Sequence, residues 1–133
     1  MIDNEAAEIT SAINEMIDSK RLDDIKLAKE IISSQPDLID SNLLKGHWYD
    51  INELKNPNTI EYSELYYTDG GSSDKVYLLF IDKVGEVYLL RTMYGKRGKK
   101  LRTNSISSKN KYHIEREYNM TIQNKKAKGY TKL

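Results

Sequence analysis

The 133-residue chain has no cysteine, which excludes disulfides and thiolate metal sites. Its two histidines, His47 and His113, lie far apart in sequence, and neither has an HxxxH or HExxH partner or a nearby carboxylate cluster. No apolar run reaches the roughly 18 residues of a membrane-spanning helix. The acidic start, Asp3, Glu5 and Glu8, lacks the basic region that opens a signal peptide, so a cytoplasmic protein with no membrane partner is expected. Gly70-Gly71 lacks the GxxxxGKS or GxxxxGKT pattern of a phosphate loop and the helix that follows one. Nowhere does a nucleophile stand with its base. These absences imply a non-enzymatic protein with no cofactor and no metal.

What the chain does have is charge polarity. Its net charge of +1 conceals two unlike parts: residues 1–90 hold eight Lys and Arg against eighteen Asp and Glu, and residues 91–133 hold thirteen against two. Such asymmetry points to a polyanionic partner or to contact between oppositely charged surfaces. The abundance of Lys, Asn, Ile and Tyr suggests an AT-rich genome, that of a phage or a low-GC bacterium. With one tryptophan, ten tyrosines and 38% hydrophobic residues, the chain can build one compact domain with a small helical appendage.

Residues 76–98 organise the rest. Two apolar runs, 76–81 and 87–93, are separated by Asp82-Lys83-Val84-Gly85-Glu86, whose glycine suits the positive φ of a hairpin turn. Being apolar on both faces, the first run is expected at the centre of a sheet, with a helix covering one side. A second turn, Gly95-Lys96-Arg97-Gly98, leads to a short third strand over 99–103. Upstream, Ile2, Ala6, Ile9, Ile13, Met16 and Ile17 have the spacing of one helical stripe, capped by Asp3 or Asn4. A second helix fits 22–33, and a third is expected from Pro36 through Leu38, Ile39, Leu43 and Leu44 to Gly46. His47-Trp48-Tyr49 opens a connecting segment in which Trp48 is expected to dock the two parts together. Residues 60–67 read as a strand. A covering helix is expected over 107–124, capped by Ser107 or Ser108, with Tyr112, Ile114 or Glu115, Tyr118 and Ile122 recurring at helical spacing.

The run Tyr88…Tyr94-Gly95-Lys96-x-Gly98, preceded by Lys75-Val76-Tyr77-x-Leu79 and followed by Lys125…Gly129-Tyr130, resembles the WGR domain. This small β-sheet module occurs in DNA-dependent poly(ADP-ribose) polymerases and in several bacterial and phage proteins. Tyr94 stands where the family has tryptophan and Lys96 where it has arginine; tyrosine keeps a stacking face, whereas lysine lacks the guanidinium's planar fork. The resemblance implies an α+β fold, with a small antiparallel sheet and one packed C-terminal helix over residues 61–133. Residues 1–46 form a preceding acidic helical region, and residues 47–60 connect the two. It also implies contact with the end of a nucleic-acid strand near a break, with Tyr94 stacking and Lys96 on a phosphate.

The basic tract is the main functional signal. Arg91, Lys96, Arg97, Lys99, Lys100 and Arg102, interleaved with Tyr94 and followed by Lys109 and Lys111, offer phosphate contacts whose counterion release gives sequence-independent affinity. The alternative is an ordinary solvated face, with Tyr94 packed on its own sheet. Arg91 and Arg102 are expected on one face of adjacent strands. The partner implied is nucleic acid, DNA ahead of RNA, recognised by its backbone and strand ends with little sequence specificity. The acidic helices, with Asp3, Glu5, Glu8, Glu15, Asp18, Asp23, Asp24, Glu30, Asp37 and Asp40, offer the alternative of a protein-interaction adaptor or phage-encoded modulator of a host protein that binds a basic partner; that surface could also fold over the basic face of the sheet, or be simply solvated.

Overall fold

A computed structural model describes residues 4–40, 54–69, 74–96 and 99–133. The chain divides into two compact units, Met1–Asn52 and Glu53–Leu133. The first holds helices α1 (Asn4–Asp18) and α2 (Leu22–Ser34) and a 3-10 turn, Pro36–Leu38. Ile13, Ile17, Ala28 and Ile32 form its core, with Ile9, Met16, Ile31 and Ile39 packed around them, as the three-and-four spacing requires. The third helix expected from Pro36 is, among the described residues, only the 3-10 turn. The Asp40 N–H, which a continuing helix would donate to residue 36, goes instead to the buried Thr10 Oγ1 at 2.9 Å. Leu43, Leu44, Gly46, His47, Trp48 and Tyr49 lie outside the described residues, as does Asp3.

The second unit is an antiparallel sheet with one packed helix, so the fold is α+β. Its strands are β1 (Thr59–Thr68), β2 (Asp74–Val84), β3 (Val87–Lys96), β4 (Arg102–Ser108) and β5 (Thr131–Lys132), in the order β4-β3-β2-β1-β5. Helix α3 spans Lys111–Ala127. The central hairpin turns through Gly85-Glu86, with Gly85 at φ +60°, the left-handed value a tight two-residue turn demands at its first position. β2 is central, as its two apolar faces require. Leu79 and Ile81 join Leu65, Leu90, Ile114, Tyr118 and Ile122 in the core beneath α3. Leu78 and Phe80 are fully buried on the opposite face. No helix among the described residues is long and apolar enough to cross a membrane.

Three boundaries differ from expectation. β2 runs on to Val84, so Asp82, Lys83 and Val84 pair with Leu89, Tyr88 and Val87 and only Gly85-Glu86 turns. Ser107 and Ser108 do not cap the helix; they complete β4 opposite Leu89 and Tyr88. Asn110 takes the cap position instead, its Oδ1 accepting the Tyr112 N–H at 3.0 Å. The third strand consequently runs from Arg102 to Ser108 rather than over 99–103, because pairing with β3 begins where Arg102 meets Tyr94. Tyr112 does not face the core: it is 79% exposed, since two residues along a helix from Ile114 lead to the opposite side.

Inside the core the Ser63 and Tyr118 hydroxyls hydrogen-bond to each other, both residues being buried. Ser63→Ala is expected to lose about 1–3 kcal/mol, the cost of leaving one buried hydroxyl unmatched. Adding Tyr118→Phe removes both polar groups together and is expected to restore part of the loss. Urea midpoints of the two variants check this.

Candidate functional site

Register decides which side chains meet. Outward from the Gly85-Glu86 turn, β2 and β3 pair Tyr77 with Tyr94 and Lys75 with Lys96. β4 adds Arg102 opposite Tyr94; β1 adds Leu65 and Tyr67, and β5 adds Lys132 opposite Leu65. Directly paired residues project to the same face. The α3 side of the sheet therefore carries two adjacent rows, Arg102, Tyr94, Tyr77, Leu65 and Lys132, then Lys96, Lys75 and Tyr67.

Lys75, Tyr94, Gly95, Lys96, Lys99, Lys100 and Arg102 line a recess of about 480 Å³. Five of these are cations, and no carboxylate is among the described residues lining it. Lys75 and Lys96 stand directly opposite each other, a like-charge pair that costs stability unless an anion bridges it.

Behind the recess the tyrosines form a wall. Tyr94 stacks on Tyr77, with ring centroids 5.2 Å apart and planes 16° from parallel. Tyr130 meets Tyr77 edge-on at 6.4 Å and Tyr67 at 5.5 Å. Lys125 Nζ lies 4.6 Å above the Tyr77 ring and 5.8 Å from Tyr130, and Lys75 Nζ lies 5.7 Å above Tyr67. Burial lowers the Lys125 pKa, and the charges of Lys128 and Lys75 push it the same way; burial raises the Tyr77 hydroxyl against the lowering effect of a hydrogen bond with Thr92, with Tyr94 adding to the rise. Tyr130 reaches this wall because α3 ends in a Schellman turn: Gly129 N–H donates to the Lys126 carbonyl and Tyr130 N–H to the Lys125 carbonyl, both at 3.0 Å. Gly129 takes φ +102°, and a Cβ there would come within 3.0 Å of the Tyr67 ring.

The structure thus brings together Tyr94, Lys96, Lys99, Lys100 and Arg102 from the sequence-predicted set. Arg97 lies outside the described residues. No family model, curated protein or solved structure matches the chain. Lys75 and Tyr77 join from a strand well upstream of the basic tract. Their signal was the tight turn itself: counting outward from Gly85-Glu86 places Lys75 opposite Lys96. Lys111, at the start of α3, pairs with Glu115 at 3.5 Å and does not line the recess.

Arg91 is a correction. It pairs with Ser105 and Phe80, three positions before Tyr94, so it projects from the face opposite Arg102. There its guanidinium lies 4.2 Å from the Phe80 ring centre and donates to Asp82 Oδ2 at 3.0 Å and to the Leu54 carbonyl at 3.0 Å. A bulge in β1 between Thr59 and Glu61 turns Thr59 onto Asp82, whose Oδ1 accepts its hydroxyl at 2.6 Å. Arg91 is a structural cation. Among the described residues no group of three or more His, Cys, Asp or Glu is placed to hold a metal ion.

Proposed function

We propose that the chain is a non-enzymatic nucleic-acid-binding module of the WGR type, holding a phosphate backbone or strand end in the cationic recess. The observation that carries this reading is the recess: five cations and one tyrosine ring around a common hollow with no carboxylate among its described lining. Backbone phosphates match that charge, and an aromatic face beside them accepts a base or a sugar. Concentrating cations in one concavity also raises the local density of anionic ligands and speeds encounter.

Fluorescence anisotropy with short labelled single strands and duplexes tests the reading. With five phosphate contacts, affinity is expected to fall about 100- to 500-fold between roughly 50 and 200 mM salt. Absence of binding at the lower salt removes the proposal.

A further inference from the structure

We propose that a polar cleft beside the recess reads an unpaired guanine, so that the bound nucleic acid is a single strand contacted at one base as well as at its phosphates; this rests on the nucleic-acid reading above. The cleft, about 160 Å³, is lined by Tyr77, Thr92, Asn104, Ile106, Glu117 and Thr121 among others. Thr92 and Asn104 are the cross-strand pair next inward from Tyr94 and Arg102 on the same face. That step is two residues, about 6.8 Å along the strand. Tyr77 walls the cleft while its stacked partner Tyr94 lines the recess, so the two hollows adjoin across one pair of rings. A nucleotide whose phosphate sits among the lysines has its base within reach of the cleft.

The polar groups there select a base. Asn104 Oδ1 already accepts the Ser105 N–H at 2.9 Å, which leaves the amide NH₂ to donate. Glu115 is paired with Lys111, whereas Glu117 has no ion pair with any described residue. A lone carboxylate beside a phosphate site repels the backbone, and it helps only by accepting from a base. Ionised, it is an acceptor with two oxygens, suited to two adjacent donors. Guanine alone among the four bases presents two neighbouring N–H donors on its pairing edge, N1 and N2, with the O6 acceptor beside them for the Asn104 amide. In a duplex, cytosine consumes that edge; in a single strand it is open to side chains. Tyr77 and Ile106 supply apolar walls for the ring.

The test compares full-chain binding to three single strands of equal length: a thymine tract, the same tract with one guanine, and the same tract with inosine in its place, which lacks the N2 amino group. The guanine strand is expected to bind at least tenfold tighter than the other two, and a guanine paired in a duplex is expected to confer no preference. Glu117→Gln is expected to bring the guanine-to-inosine affinity ratio close to one. Equal affinity of the native chain for all three strands overturns the base proposal alone, and so does a preference that survives in Glu117→Gln. If no strand binds, the nucleic-acid reading fails and the base proposal with it. The comparison of strands on the native chain needs no variant, so it stands whether or not Glu117→Gln folds.

Discussion

Exchanging Lys96 and Lys100 for glutamine is expected to weaken oligonucleotide binding by about 100-fold at roughly 50 mM salt, since each phosphate contact contributes close to tenfold there. The slope of log affinity against log salt is expected to fall by about 1.4–1.8, two contacts' worth. Both numbers come from one anisotropy titration series, and an unchanged circular-dichroism spectrum separates loss of phosphate contacts from loss of fold, since an unfolded basic chain also binds with a salt slope. Both residues are exposed, and neither belongs to the apolar core. Lys109→Gln is the control. It is exposed and outside the described recess lining, so a solvated basic face predicts equal losses at Lys109 and Lys100, whereas a recess predicts a loss only at Lys100.

Asp82→Ala is expected to cost the second unit a large part of its stability. Breaking a buried ion pair on one side costs about 3–5 kcal/mol because the remaining charge is stranded. The Asp82 side chain is 6% exposed and that of Arg91 21%, so water relieves part of the penalty and roughly 2–4 kcal/mol is expected. For a unit of this size that lowers the midpoint of thermal unfolding by about 10–25 °C. The pair also writes a pH dependence into the fold. Burial works to raise the Asp82 pKa, but hydrogen bonds from Arg91, Thr59 and Asn56 and the charge of Arg91 outweigh it and hold the carboxyl below its ordinary value. The folded chain therefore keeps Asp82 ionised to lower pH than the unfolded chain does. Its contribution is full above the unfolded value of about 4 and is lost as pH falls through the lower folded value. Urea midpoints measured downward from neutral pH are expected to show this acid-linked decline in the native chain and a smaller one in Asp82→Asn.

The hairpin was legible because two independent signals agreed, an apolar run on both faces of 76–81 and a glycine where a tight turn needs one. The buried stripe of α3 was legible in Ile114, Tyr118 and Ile122, four residues apart. β4 was not, because Arg102-Thr103-Asn104-Ser105-Ile106-Ser107-Ser108 is an exposed edge strand whose serines read equally well as helix caps. The error about Arg91 lay within β3, where the three-residue step to Tyr94 is an odd one and puts the two side chains on opposite faces. Asp82 looked like a turn residue. Its role depends on the β1 bulge that brings Thr59 to it, and a bulge leaves no periodic trace in sequence. Of the site, composition revealed the charge, but only pairing across the sheet showed that Lys75 belongs to it.

The facing Lys75 and Lys96 carry a consequence for stability. Like charges on directly opposed residues of neighbouring strands cost a little stability, and a threonine at either position would remove that cost. Were a polyanion to bind there, it would offset that repulsion, and the ligated molecule would be the more stable one.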